Sequence, residues 1–156
     1  MSGYYSFNFI GTGYLHTIAN GGYNTIVGGG RNCISSTGPY SNNNFIGGGF
    51  CNNLNTEGGG CGAIVSGFYN SISNSYGGYG AEHSSFIGAG CRNTISTYSN
   101  SPSPSQGYNI IVGGRSNALK CVTGGTTCIG YSVIVCLLYT SSSPRDRQKS
   151  RMPSSA

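Results

Sequence analysis

Ile26-Val-Gly-Gly-Gly-Arg-Asn-Cys-Ile34 sets the pattern for most of the chain. Its frame, Ile-x-x-Gly-x-x-Asn-x-Ile, recurs in seven copies, starting at Ile10, Ile18, Ile26, Ile46, Ile64, Ile87 and Ile111. Three residues on, every copy has glycine: Gly13, Gly21, Gly29, Gly49, Gly67, Gly90 and Gly114. Six on stands His16 once, and then Asn24, Asn32, Asn52, Asn70, Asn93 and Asn117. Eight on is always aliphatic: Ile18, Ile26, Ile34, Leu54, Ile72, Ile95 and Leu119. A phase held this strictly is the mark of stacked repeats, in which each unit buries its apolar side only against its neighbours.

The units are too rich in Gly, Ser, Asn and Thr for helix. Short strands fit better, over Asn8–Ile10, Thr25–Val27, Asn44–Ile46, Ala63–Val65, Ser85–Ile87 and Asn109–Val112. Each runs into a glycine, which can take positive φ or let two backbones approach. The asparagine at the sixth step suits a left-handed turn position, with its amide bonding the backbone or stacking on the next repeat. The aliphatic at the eighth step re-enters the core. From Ile26 the copies start 20, 18, 23 and 24 residues apart, one interval to a solenoid coil. The first copies lie eight apart, as half-coils or in a different register, and Ile129-Gly130 is placed to open a further unit. The intervening segments Ser35–Asn43, Asn74–Ser84 and Thr97–Gln106 read as polar turns, the last bulging outward because it holds Pro102 and Pro104. The fold class expected is all-β, a repeat β-solenoid with short strands and Gly/Asn turns over residues 8–135, after a lead-in of residues 1–7.

Residues 136–156 change character. Cys136–Ser141, Ser143–Asp146 and Ser150–Ala156 resemble a translated sequencing adapter, with Arg147–Lys149 where its index would fall. The segment is expected to be foreign to the fold, which the native gene continues beyond Val135. Without it the formal charge falls from +5 to +2: Arg31, Arg92, Arg115 and Lys120 against Glu57 and Glu82. The cations are scattered, which argues against nucleic acid as a partner. No aspartate precedes Asp146, which weighs against calcium-binding repeats. The six remaining cysteines form no Cys-x-x-Cys pair, so they act as small apolar fillers or as partners in inter-rung disulfides rather than zinc ligands. Neither a secretory leader nor a run long enough to span a membrane is visible.

The strings Thr25-Ile-Val-Gly-Gly-Gly-Arg-Asn-Cys-Ile34, Asn44-Phe-Ile-Gly-Gly-Gly-Phe-Cys-Asn-Asn-Leu54 and Ser85-Phe-Ile-Gly-Ala-Gly-Cys-Arg-Asn-Thr-Ile95 resemble the Gly-rich repeats of phage tail fibres. They are similar, more distantly, to the head repeats of trimeric autotransporter adhesins. The resemblance covers residues 8–130 and implies a left-handed parallel β-roll, usually trimeric and used for attachment at a virion or extracellular surface. The spacing here is longer and less even than in the adhesin heads.

Chemistry is sparse. Gly11-Thr-Gly13 and Gly88-Ala-Gly90 lack the third glycine and the helix of a nucleotide loop. Glu82-His83 is the one acid–histidine neighbour, and it reads as solvated loop; His16 reads as a turn residue. The chain is therefore expected to be no enzyme, with no catalytic residues, metal or cofactor. Binding is better supported: Tyr40, Tyr69, Tyr76, Tyr79, Tyr98 and Tyr108 lie in or beside Ser/Asn/Gly segments. Tyrosine supplies contact area at low entropy cost, and small polar neighbours adapt around it. Tyr40, Tyr76, Tyr79, Tyr98 and Tyr108 are the candidate contacts to a host cell-surface glycan or protein. The alternative is an ice- or crystal-binding solenoid, but its array would fall on Thr17, Thr25, Cys33, Asn53, Ser71, Thr94 and Ala118, a mixed column.

Overall fold

Alternation of large and small residues before each repeat isoleucine makes one set of strands, and the residues after each repeat asparagine make another. A computed structural model describes residues 7–20, 22–37, 43–58, 60–76, 83–99, 107–123 and 130–135. The first set comprises β1 (Phe7–Ile10), β3 (Tyr23–Ile26), β5 (Asn43–Ile46), β7 (Cys61–Ile64), β9 (His83–Ile87), β11 (Gly107–Gly113) and β13 (Gly130–Val135). The second comprises β2 (Thr17–Ala19), β4 (Cys33–Thr37), β6 (Asn53–Glu57), β8 (Ser71–Tyr76), β10 (Thr94–Ser99) and β12 (Ala118–Thr123). Odd strands stack in sequence order into a seven-stranded sheet and even strands into a six-stranded one, all pairs parallel. The protein is a β-solenoid, as the repeat predicts.

Its interior has an apolar half and a polar half. The apolar half is two facing columns: Ile26, Ile46, Ile64, Ile87 and Ile111 from the first sheet, and Ile34, Leu54, Ile72, Ile95 and Leu119 from the second, all buried. Ile18 and Ile134 close the ends. Each buried aliphatic contributes about 1.5–3 kcal/mol, and two per coil is a thin core. The polar half is built two residues before each isoleucine, in the column Asn8, Asn24, Asn44, Gly62, Ser85, Asn109. Facing it is the column Ser36, Thr56, Asn74, Thr97 of the second sheet. The two interlock: Asn44 Nδ2 lies 3.0 Å from Asn24 Oδ1 and 2.8 Å from the hydroxyls of Ser36 and Thr56, three acceptors that share its two N–H groups. Ser85 and Thr97 hydroxyls both donate to Asn74 Oδ1. Where the column reaches Gly62, its backbone N–H donates to Asn44 Oδ1 instead.

Three expectations need correction. The expected strands all lie in the first sheet; residues 35–37, 74–76 and 97–99, in segments expected as turns, are strand in the second. Their polarity misled because their inward residues face the polar half of the interior. The copy at Ile18 starts no coil: Ile18 pairs in register with Ile34, as the eighth-step residue of the first coil, and Asn24 lies on β3 beside Asn8 and Asn44. Gly21 lies outside the described residues. The further unit is opened by Ile134, in register with Ile111, rather than by Ile129. The proline-bearing segment 100–106, Cys128, Ile129 and residues 136–156 also lie outside the described residues.

The corner between the two strands of a coil is nearly invariant. Gly13, Gly29, Gly49, Gly67, Gly90 and Gly114 take positive φ. The next residues, Tyr14, Gly30, Phe50, Phe68, Cys91 and Arg115, form a third column of single parallel bridges. The residue after that is left-handed although never glycine: Leu15, Arg31, Cys51, Tyr69, Arg92 and Ser116 have φ of 53–59°. The left-handed position is thus the fifth step, not the asparagine at the sixth. It turns its own N–H back to the previous coil, as from Cys51 to Gly30 O at 3.0 Å.

The freed asparagine points inward and ties the corner together. Asn52 Nδ2 donates to Gly48 O in its own coil and to Gly67 O in the next, both at 2.9 Å. Asn52 Oδ1 accepts the Asn70 N–H at 3.0 Å. Asn32, Asn70 and Asn93 repeat all three contacts, and Asn32, Asn52, Asn70 and Asn93 are wholly buried. His16 fills the same place in the first coil: Nδ1 accepts the Asn32 N–H at 3.3 Å and Nε2 lies 3.1 Å from Thr12 O. Those contacts select the tautomer protonated at Nε2.

Two substitutions test the corner. A Cβ on Gly49 would run into the Gly67 carbonyl oxygen and stand 2.7 Å from Gly67 N, at φ 89°. Gly49→Ala should destabilise by about 3 kcal/mol or more, read by denaturant unfolding; a loss below about 1 kcal/mol would contradict the geometry. Asn52→Asp keeps the shape but loses both Nδ2 donations and buries a carboxylate against two carbonyls, which should also cost about 3 kcal/mol or more at neutral pH.

Candidate functional site

Three surfaces run the length of the solenoid, one from each side of the repeat. The outward side of the first sheet carries two columns in register: Phe7, Tyr23, Asn43, Cys61, Ser84, Tyr108, Tyr131 and Phe9, Thr25, Phe45, Ala63, Phe86, Ile110, Val133. One residue after each repeat isoleucine, a third row reads Gly11, Val27, Gly47, Val65, Gly88, Val112. Its aromatics stack at both ends, Phe7 on Tyr23 at 5.5 Å and Tyr108 on Tyr131 at 5.3 Å between ring centres. Of its described residues none is charged.

The outward side of the second sheet is polar. Its first column reads Thr17, Cys33, Asn53, Ser71, Thr94, Ala118, and its second Ala19, Ser35, Asn55, Ser73, Ser96, Lys120. Ser75 Oγ donates to Glu57 Oε2 at 2.6 Å near the strand ends. Thr25 belongs to the other sheet, so the mixed seventh-step array is more broken in space than in sequence.

The third surface is the corner edge, where the left-handed residues project. Tyr14 packs tilted against Phe50 and Phe50 packs edge to face with Tyr69, each pair with ring centres 6.3 Å apart, and the Arg31 guanidinium sits 5.7 Å over the Phe50 ring. Arg92 and Arg115 follow on successive coils.

The candidate tyrosines do not converge. Tyr98 is on β10 and Tyr108 on β11, exposed on different sheets, in strands and not in loops. Tyr76 is the last residue of β8, and Tyr40 and Tyr79 lie outside the described residues. Small polar neighbours signal a loop in most chains; here they signal a strand whose inner side is also polar. The phase-locked polar residue two before each isoleucine could have disclosed this. Glu82 lies outside the described residues and His83 is in β9. Gly11–Gly13 and Gly88–Gly90 lie at strand ends and corners, with no helix after them.

Among the described residues no three metal-ligating side chains cluster, and no helix is long and apolar enough to cross a membrane. Cys33, Cys51, Cys61 and Cys91 are free thiols. Cys33 and Cys61 are outward on different sheets, and Cys51 and Cys91 are at the corner. Against known proteins, no family model, no curated protein and no solved structure matches this chain.

Burial pushes the Cys33 thiol above its ordinary pKa by desolvating the thiolate. Cys33 should therefore alkylate more slowly at pH 8 than an unhindered thiol, with a rate still rising at pH values where the latter has levelled off. Reaction at the speed of a free thiol, with no lag in pH, would contradict this.

Proposed function

We propose that the chain is a non-enzymatic structural and attachment segment of a viral tail fibre or surface adhesin, assembled as a homotrimer on a virion or extracellular surface. The observation that carries this reading is where the repeat is constant and where it varies. From each isoleucine to the strand eight residues on, spacing never changes. The differences in coil length fall between the eighth-step aliphatic and the next isoleucine, partly in strand length, three residues in β2 against six in β8, and partly in the connection from a second-sheet strand to the next first-sheet strand. The ends that these connections join line one edge of the solenoid. A rigid rod with its variation along one edge suits recognition of an external partner, and Tyr40 and Tyr79 belong to those connections. The partner proposed is a host cell-surface glycan or protein.

Such a role needs stiffness, which the paired sheets and the asparagine column supply, and it needs no reactive group. Nucleic acid and membrane insertion have no support in the surface chemistry, since the cations are few. A crystal-binding role would want one hydroxyl repeated along a flat column, and the outward columns of the second sheet mix Thr, Cys, Asn, Ser and Ala.

The test uses the full-length gene. Light scattering should give three times the chain mass. Tyr40→Ala with Tyr79→Ala, and separately Tyr98→Ala, should weaken adsorption of particles to host cells by about tenfold, the scale of one interfacial aromatic. A stable monomer would remove the fibre reading, and unchanged adsorption in every variant would reduce these coils to a passive spacer.

A further inference from the structure

The outward rows of the first sheet vary in concert. Where the middle row has Phe9, Phe45 or Phe86, the residue two on is glycine; where it has Thr25, Ala63 or Ile110, that residue is valine. Each ring lies across its own glycine. A Cβ on Gly47 would stand 3.2 Å from Phe45 Cε1, and those on Gly11 and Gly88 would stand 3.4 Å from the rings of Phe9 and Phe86. Bulk is thus traded between the two rows coil by coil, with a hollow left over Cys61 and Ala63. The glycines also serve inside the chain, since a Cβ on Gly11, Gly47 or Gly88 would run into the carbonyl oxygen of Val27, Val65 or Val112 on the next coil, while the rings and valines themselves stand on the side of the sheet away from the core. Matched bulk of this kind is what a packed interface requires.

Size and chemistry agree. Val27, Phe45, Val65, Phe86, Tyr108 and Val112 are each 37–48% exposed, and Phe7 and Phe9 more so. At about 100 Å² for each exposed large side chain, the face presents on the order of 1,000 Å² of apolar surface. That exceeds the largest patch of an ordinary monomer, about 300–600 Å², and reaches the roughly 800 Å² that each partner gives to a stable interface. Between Phe45 and Phe86, over Cys61 and Ala63, a hollow of about 290 Å³ remains open. A partner that keeps contact in step along seven strands must repeat every ~4.8 Å, as parallel strands do. A second copy of this solenoid has that repeat.

We infer that copies of this chain pack against one another through the outward face of the first sheet. The face is turned to the symmetry axis, the hollow over Cys61 and Ala63 is filled by side chains of the neighbouring copy, and the polar second sheet and the corner edge face solvent. The inference rests on the fibre reading for the number of copies, while the choice of face rests on the residues themselves.

The full chain is compared with Phe45→Lys/Phe86→Lys on this face and with Ser35→Lys/Ser73→Lys on the outward side of the second sheet. The unaltered protein and the second variant should share one multiple of the chain mass by light scattering. The first should fall to the mass of a single chain while keeping its β-sheet circular dichroism. In the unaltered protein, Cys61 should react with a maleimide at least tenfold more slowly than Cys51 at the corner. A first variant that keeps the wild-type mass, or a Cys61 as reactive as Cys51, overturns the inference. If the first variant does not fold, the Cys61 rate decides alone. A wild-type dimer that the Phe→Lys changes dissociate would sink the fibre reading and leave this interface standing. A trimer that survives them would do the reverse.

Discussion

The solenoid depends on one inward carboxamide at each corner from Asn32 to Asn117, wholly buried in the four middle coils, with His16 in its place in the first. A solenoid corner must turn the backbone sharply without leaving its carbonyls and N–H groups unpaired away from water. Asn32, Asn52, Asn70 and Asn93 solve this from inside, each donating twice and accepting a backbone N–H from the next coil. No other side chain of that size has two donors and an acceptor in one plane. Glycine three residues earlier is the complement, because any Cβ there would collide with the next coil's backbone. Fixed corners fix the register, and the register stacks the isoleucines.

That dependence explains what could be read from the sequence. Constraints acting at one phase of the repeat leave one residue type there, so isoleucine, glycine and asparagine disclosed the solenoid and the first sheet. The second sheet was hidden because Ser36, Thr56, Asn74 and Thr97 answer to a looser rule, any small polar group able to join the inner hydrogen bonds. The left-handed column was hidden for the opposite reason. Leu15, Arg31, Cys51, Tyr69, Arg92 and Ser116 share a backbone conformation and no side-chain chemistry. The candidate site was less legible still. A surface depends on which side of a strand a residue takes, and that was unknown for tyrosines taken to lie in loops, such as Tyr98 and Tyr108.

The half-polar interior has an energetic side. With two aliphatics per coil, burial inside one chain yields little margin over the entropy of ordering some twenty residues. The inner Asn/Ser/Thr contacts add order more than stability, since each replaces bonds to water. An apolar outer face on the first sheet is therefore surface the molecule can still use, and its lack of charge keeps it usable.

The asparagine column also has a direction. Each carboxamide reaches towards the C-terminus: Asn52 bonds Gly67 and Asn70, Asn70 bonds Gly90 and Asn93, and Asn93 bonds Gly114 and Asn117. Asn117 Nδ2 donates to Gly113 O in its own coil, as the others do to theirs, and to Asn93 Oδ1. A corner is thus finished only by the coil that follows it. The two directions along the rod are therefore unlike: at each corner the left-handed residue bonds back to the coil before it, as Cys51 does to Gly30, while the buried carboxamide bonds forward to the coil after it, as Asn52 does to Gly67 and Asn70.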